Sequence, residues 1–493
     1  MMPEPATPAR PEPATPILPD GLVAIVKRDC PTCELVAPVL LDLAGADTPL
    51  TVFTQDDPSF PTAADWVVDD TDLGVSWHHD IETVPTLLLV RDGREQERTV
   101  GWSRQHWQEL TGADALGPGL PEMRPGCGSL SVDPTRADEL AVRFGGSAVH
   151  SRRVQIAPLE DEMEAMFDRD WTDGLPVVPP TEARVLRMLE GTTRAPDEIV
   201  CLAPPNLVPC SVEKVAINAV MAGAKPEYLP VVLAALEAVC TDEFNMHGVL
   251  ATTMAVGPVL VVNGPIRHQI GMNAGVNVLG QGNRPNATIG RAVQLTVRNV
   301  GGGRPGEIDR STQGNPSKLG LCFAEDEEGS AWDSLAVERG FDPGTSTVTA
   351  FCGEGPRIIV DQQSRSPESL TRLLADAMRS VASPRMVMGI DAMLVLSPEH
   401  MARYRDAGWS KQRFRDELTA VSMIDSDTIL AGAGGIDEGL PADFAGVQLP
   451  KFNPDGGLTI VHAGGPAGLF SSVLAGWLRG PGGSIPVTRE VRP

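Results

Sequence analysis

Positive charge is what this chain has least of for its size. Its 493 residues carry 40 Lys and Arg against 65 Asp and Glu, a formal net charge of -25 at pH 7. A nucleic-acid or anionic-membrane surface calls for clustered cations, so neither is an expected partner. Long apolar runs are missing too: none approaches the roughly 20 residues that cross a bilayer. The first 17 residues, "MMPEPATPARPEPATPI", hold no apolar h-region, so they read as a disordered extension rather than a secretory signal. Without an export signal the expected compartment is the cytoplasm, where thiols stay reduced. Cysteine is scarce as well. Eight in this length make no disulfide framework, and each has to be judged by its own setting. What is present, 42% hydrophobic and 21% charged residues, describes a soluble globular protein. The length is too great for one ordinary core.

Residues 18–115 alternate strand and helix patterns. "GLVAIVK" is a short apolar strand, "ELVAPVLLDLAG" carries apolar residues at helical spacing, and "LTVFT" is a second strand. "TLLLVRDGREQERTV" predicts a hairpin turning at Asp92-Gly93, and "SRQHWQELTG" a closing helix. Residues 116–150 are rich in Gly and Pro and read as a linker. Residues 151–493 read as a large α/β catalytic domain with a subdomain boundary near 345. There "CSVEKVAINAVMAGAKPEYLPVVLAALEAVC" predicts two helices broken at Lys225-Pro226, since the residue before proline avoids helix. "ATTMAVGPVLVVNGPI" predicts a buried strand. The last third predicts strands at "TVTAFCG", "RIIVD" and "AMLVLS" and helices at "PESLTRLLADAMRSV", "HMARYRDAG" and "SKQRFRDELTAV". A strand, a glycine turn and a helix are expected in "LTIVHAGGPAGLFSSVLAGWL". This alternation makes the fold class α/β. No short-period repeat indicates a solenoid.

"VKRDCPTCELVAPVLLDLAG", starting at Val26, sets Cys30 and Cys33 where an apolar strand runs into a helix. At a helix N-terminus the dipole and free amides stabilise a thiolate, drawing its pKa from ~8.5 toward ~7 or below. Cys33, one turn on, can attack a mixed disulfide and release the partner. Cys30 should be the more exposed and the more acidic of the two. The competing interpretation is a pair of structural cysteines or half of a zinc site. Zinc would need two further ligands, for which His78 and His79 are the nearby candidates.

Cys30-Pro31-Thr32-Cys33, followed by "TVPTLLLV" from Thr83, resembles the thioredoxin family, with both motifs in order and on the expected elements. The resemblance implies a thioredoxin fold followed by the larger mixed α/β region. It further implies thiol–disulfide exchange, a cis Pro85 facing the dithiol, and a Val84 backbone that binds partner polypeptides. A donor such as thioredoxin reductase or another dithiol goes with it. Two positions depart from the family pattern. Asp29 stands where the family has tryptophan, and Ala24 stands where it has a buried acid that takes the proton of Cys33. The direction of electron flow is left open by these changes.

The region from about 171 onward resembles a bacterial family of UGSC-type cysteine or selenocysteine proteins. The resemblance runs through "WTDGLPVVPPT", "KPEYLPVVLAALEAV", "NATIGRA" and "HAGGPAGLFS". The UGSC motif itself is absent, "CGSL" at Cys127 being a partial look-alike, and no reaction follows from the resemblance. The residues themselves offer more. Asn263, Arg267, Asn273, Asn277, Asn283, Arg284, Asn286 and Arg291, with Asn299, lie among many glycines after a buried strand. Such a set can hold carboxylate, amide or phosphate groups. Cys322 and Cys352 stand at or near strand ends beside polar loops, where α/β sheets carry ligands. They rank first and second as reactive thiols, ahead of Cys201 and Cys210, which could close a loop disulfide. Cys240, at the end of an apolar helix, reads as a small hydrophobe. His247 and Glu325 are the acid–base candidates. "HAGGPAG" after a strand suggests anion capture at a helix N-terminus, without the full dinucleotide fingerprint.

Together these features predict a thiol-redox-coupled enzyme, an oxidoreductase or sulfur transferase. Its CxxC module would reduce, or deliver sulfur to, a cysteine of the large domain, which acts on a small anionic molecule. Fusion through a short linker gives the dithiol a millimolar effective concentration for that neighbour. Two alternatives stand beside it: cysteine-dependent cleavage of a carbon–heteroatom bond with the dithiol clearing the product-bound thiol, and a non-enzymatic thioredoxin-like chaperone or scaffold. No cofactor and no metal are expected, and homo-oligomerisation is left open. The substrate pocket is expected between residues 263–310 and the loops at Cys322 and Cys352.

Overall fold

The computed structural model describes residues 15–46, 48–145, 149–154, 156–157, 160–430 and 442–493. The extension expected over residues 1–17 lies outside them up to residue 14. The chain divides into two compact units, Met1–Arg152 and Arg153–Pro493. Both combine helices with mixed sheets, so the fold class is α/β. Among the described residues, no helix is long and apolar enough to cross a membrane.

In the first unit, β1 (Gly21–Val26) is an unbroken apolar run buried from Leu22 onward, as a strand covered on both faces must be. Helix α1 (Pro31–Ala44) opens on Pro31, whose missing N–H has no partner to lose in the first turn, with Cys30 as its extended N-cap. Next come β2 (Leu50–Thr54), β3 (Val67–Asp69), α2 (Gly74–His78), β4 (Thr83–Val84), β5 (Thr86–Arg91) and β6 (Arg94–Val100), then β7 (Trp102–Ser103) and α3 (Arg104–Thr111). The sheet order is β3-β2-β1-β5-β6, with β1 parallel to β2 and antiparallel to β5. The β5–β6 hairpin turns where expected. Asp92 and Gly93 both take left-handed φ, 52° and 67°, which matches the twist of the strands they join. Val23, Ile25, Val36, Leu40, Leu87 and Trp107 are part of one buried core.

Part of the stretch read as a linker folds back onto this unit. β8 (Met123–Arg124) pairs antiparallel with β7, and β9 (Cys127–Gly128) pairs antiparallel with β4. Helix α4 (Ala137–Phe144) follows.

The second unit begins with α5 (Glu162–Asp168), α6 (Glu182–Leu189), the hairpin β10 (Ile199–Ala203) and β11 (Val208–Ser211), and α7 (Val212–Ala222). Helix α8 (Leu229–Val239) is buried along its length except at Glu237, and Pro226 separates it from α7 as the sequence predicts. Then come α9 (Met246–Ala251), β12 (Gly257–Asn263), α10 (Ile266–Gln269), α11 (Arg284–Asn299), β13 (Leu321–Ala324), α12 (Leu335–Glu338) and β14 (Thr347–Val360). The rest comprises α13 (Pro367–Arg379), β15 (Ile390–Leu396), α14 (Pro398–Asp406), α15 (Lys411–Val421), the short β16 (Ile424–Asp425), α16 (Ser426–Leu430) and β17 (Gln448–Leu449). β18 (Leu458–His462), β19 (Phe470–Leu478) and β20 (Val487–Glu490) close the chain.

One sheet, β13-β12-β14-β19-β15-β18 with β20 beside β14, spans the unit. Its two halves repeat one plan. β12 is parallel to β13 and antiparallel to β14, as β15 is parallel to β18 and antiparallel to β19, while β14 and β19 join the halves. The sheet curls until its edges meet: Asp326 N–H, just past β13, donates to His462 O of β18 at 2.8 Å. Val259, Phe323, Phe351, Met393, Val461 and Leu474, from six different strands, share one interior cluster.

Two sequence expectations change here. "TVTAFCG" and "RIIVD" form one strand, β14, with a register shift between Gly353 and Pro356 where it meets β19. "LFSSVLAGWL" is not a helix but β19, buried from Ser471 to Gly476 between β14 and β15. A short apolar run carries no decisive period, and pairing on both edges settled it as strand. The glycine turn at Gly464 and Gly465 therefore leads into a strand, and no helix N-terminus awaits an anion there.

Arg291 on α11 ties this layer to the 171–176 loop. Its Nε and Nη2 each lie 2.8 Å from the Asp173 carboxylate, and Nη2 also donates to Pro176 O at 2.9 Å. The side chains are 16% and 11% exposed. Arg291→Ala leaves Asp173 half-buried and unpaired, so it should destabilise the large unit by about 3–5 kcal/mol. A lowered urea midpoint in full-length protein checks this; an unchanged midpoint would mean that the pair is not structural.

Candidate functional site

Cys30 is the N-cap of α1, with φ -152° and ψ 112°. That extended geometry turns Sγ back over the helix start, where it accepts from Cys33 N–H at 3.3 Å. Opposite stands the cis Val84-Pro85 bond, and Sγ lies 3.6 Å from Val84 O. The Cys30 thiol is drawn down to about 5, first by the hydrogen bond from the Cys33 thiol. Burial opposes this, while the Cys127 thiol and the amides of Cys33 and Thr32 add to it. Cys33 is pushed far up by burial and by giving its proton toward Cys30. This is an attacking thiolate beside a protonated resolving thiol. Ala24, in place of a buried acid, is wholly enclosed, so no carboxylate assists Cys33 from that position.

The acidity order is as expected, but the exposure is not. Cys30 is 1% exposed, much like Cys33 at 0%. The cause is β9, which runs antiparallel to β4 with Val84 opposite Cys127 and Thr83 opposite Gly128. Thr32 Oγ1 donates to Pro125 O at 2.7 Å and Lys27 Nζ to Gly128 O at 2.9 Å. Cys127 Sγ lies 2.8 Å from Cys30 Sγ and is itself partly exposed. Burial, then the neighbouring Cys30, pushes its thiol up. His79 Nε2 is engaged with Pro16 O at 2.8 Å, and His78 packs edge-on against Phe144.

No protein-family model matches this chain. The thioredoxin of Chlamydia trachomatis (serovar D) is 32% identical over 72 residues, which are 15% of this chain and 59% of that protein. The chain thus spans less than two thirds of that relative. With the strand–CxxC–helix geometry and the cis Pro85, the likeness decides one point. The N-terminal module is thioredoxin-like.

In the large unit, Cys201 stands directly opposite Cys210 across β10–β11, and Cys240, at the end of α8, completes a group of three thiols. Cys201 is drawn down to about 4 by hydrogen bonds from Cys210 and then Cys240, against burial. Those two are pushed up in return. All three are free thiols. Nothing in the sequence pointed to Cys240 beyond its place at a helix end.

Cys322 and Cys352 lie within the sheet, opposite Leu260 and Pro258 respectively. Both are buried and pushed up by burial above the ordinary thiol range. Asn263 is at the far end of β12 from Pro258, five residues on, roughly 17 Å at strand rise. Cys352 and the Asn263 end of the sheet are therefore not neighbours.

Several of the polar residues do converge. Asn263 Nδ2 donates to Glu325 at 2.7 Å, and Arg267 Nη1 to Glu325 O at 2.7 Å. Glu325 also accepts from Leu335 N–H at 2.8 Å, and burial holds its carboxyl above the usual range. Arg267 pairs with Glu327 and Glu328, holding Glu328 down to about 2. Asn263 Oδ1 is buried with no partner among the described residues. The others serve the loop: Asn283 caps α11, Asn286 bonds Asn273 O, Asn273 bonds Val276 O, and Asn277 bonds Gln281 O. Arg284 donates to Gly223 O, and Asn299 to Asn218 and Trp171 O. His247 is exposed on α9.

Cys30's folded pKa lies below that of a free thiol, so its thiolate stabilises the fold at alkaline pH. That contribution should fade as pH falls from the ordinary thiol range toward about 5. The far-ultraviolet thiolate absorbance lost in Cys30→Ser should titrate with a midpoint near 5. A midpoint near that of a free cysteine would contradict the arrangement.

Proposed function

We propose that this protein is a thiol–disulfide oxidoreductase whose thioredoxin-like module passes reducing equivalents to a thiol site of its own large unit. One observation carries the reading: a Cys30 thiolate at a helix N-terminus, facing Val84-Pro85, with a protonated Cys33 one turn behind it. Two electrons pass from the Cys30–Cys33 dithiol to a client disulfide by thiolate exchange in which Cys33 resolves the bond made to Cys30, leaving the client as two thiols and Cys30–Cys33 as a disulfide. A dithiol donor, such as a thioredoxin reductase, restores the pair.

Among the large unit's cysteines, the group of Cys201, Cys210 and Cys240 is favoured as the client. Cys201 faces Cys210 in register, and its partner thiols draw it down against the opposing effect of burial. Cys322 and Cys352, placed ahead of them by sequence, are enclosed by the sheet, and burial, the strongest influence on each, pushes both thiols up. The small molecule handled by the large unit is assigned to the end of β12 and β13. Asn263, Arg267 and Glu325 meet there around a buried Asn263 Oδ1 that lacks a partner among the described residues.

Full-length protein oxidised to a Cys201–Cys210 disulfide tests the reading. With a reductase that acts on Cys30–Cys33, its reduction should be on the order of 100-fold slower in Cys30→Ser than in the native chain, the tethered exchanging thiol being lost. Equal rates would remove the large unit as client.

A further inference from the structure

Segment 123–132 is fastened across the dithiol more firmly than a passing loop would be. β8 pairs with β7, and β9 pairs with β4. Ser129 N–H donates to Glu82 O at 2.9 Å, Leu130 N–H to Gln55 Oε1 at 3.0 Å, and Ser131 Oγ to Ile81 O at 2.5 Å. Two glycines permit the close approach. A Cβ on Gly126 would sit 2.4 Å from Thr83 Cγ2 and 2.7 Å from Val84 O, and one on Gly101 would sit 2.8 Å from Gly126 N. The chain thus adds its own strand to the edge ahead of Pro85, a mode by which extended peptides are bound elsewhere. Cys127 is the residue of that strand brought to Cys30.

We propose that Cys127 is a third redox thiol, the one through which the buried dithiol exchanges disulfides with its clients. Three observations support this. The Cys30 and Cys127 sulfurs are 2.8 Å apart, less than about 1 Å beyond the ~2.05 Å of a disulfide bond. Cys30 is 1% exposed, whereas Cys127 is partly open. The edge that a polypeptide client would need is already filled by β9.

The exchange balances without an outside oxidant. Starting from a Cys30–Cys33 disulfide, Cys127 thiolate attacks Cys30 Sγ. The Cys127–Cys30 bond forms, the Cys30–Cys33 bond breaks, and Cys33 leaves and takes up the proton that Cys127 released. A client thiolate then attacks Cys127 Sγ and expels Cys30 as thiolate, and a second client thiol completes a client disulfide and frees Cys127. Run in reverse, the same steps reduce a client disulfide and leave Cys30–Cys33 oxidised. Cys30 is the better leaving group of the pair because its thiolate is the more stable. The proposal rests on the thiol–disulfide reading above and adds to it the route by which Cys30 is reached.

The test uses full-length Cys33→Ser treated with oxidised glutathione, quenched in acid and peptide-mapped. A monomer carrying a Cys30–Cys127 disulfide is expected. Cys30 bound to glutathione, with Cys127 recovered as free thiol, would overturn the assignment. Because the serine variant could fold poorly, native protein in a graded glutathione buffer gives a second readout. A Cys30–Cys127 fraction should appear there alongside Cys30–Cys33 and vanish in Cys127→Ala. Reversible Cys30–Cys33 formation with no Cys30–Cys127 at any potential would sink this proposal alone. Absence of both disulfides would sink the thiol–disulfide reading with it.

Discussion

A sulfur anion closed off from water must be held by hydrogen bonds, and in this protein one such anion organises the first unit. Cys30 is buried, yet its thiol is held near 5. Desolvation alone would push it the other way. The Cys33 thiol, the amides at the start of α1 and the Cys127 thiol together outweigh that penalty. They come from two elements, α1 and β9. The helix start supplies the amides, the strand ahead of Pro85 forms the opposite wall, and β9 delivers Cys127. Removing any one leaves a buried charge with too few partners.

The large unit solves a different problem. A sheet with two unpaired edges invites unwanted pairing, and here the edges are brought together through Asp326 and His462. The duplicated plan of two parallel strands and one antiparallel strand places two sets of strand ends at that closure. Asn263, Glu325 and His462 all lie there, at or just past the ends of β12, β13 and β18. His462 Nδ1 is engaged with Leu396 O at 2.9 Å, and its Nε2 faces Asp326 at 3.4 Å. The cysteines Cys322 and Cys352 lie buried inside the sheet. Those at the β10–β11 hairpin and the end of α8 form a thiol group instead.

Much of the fold could be read locally. The dithiol, Pro85, the Asp92-Gly93 turn and the break at Pro226 all announce themselves within a few residues. What stayed hidden depended on partners distant in sequence. The strand carrying Cys127 is two residues long, too short for any period, and only its pairing with Thr83-Val84 reveals it. Arg291 looked like an anion anchor because its counter-charge, Asp173, lies 118 residues away. β19 looked like a helix because a glycine turn and an apolar run are ambiguous until strands close on both sides. The duplicated plan escaped notice because its halves share strand order rather than residues. Asn263 and Glu325 stand out in the sequence for separate reasons, and their hydrogen bond joins them.

Cys30 and Cys33 are expected to cycle between dithiol and disulfide in the intact chain. Equilibrating full-length protein across a graded glutathione buffer, with acid quench and mass mapping of every cysteine, tests it most directly. A reversible two-electron transition is expected in which Cys30–Cys33 forms while Cys322 and Cys352 stay reduced. A chain in which Cys30 and Cys33 remain unpaired across the whole range would contradict it.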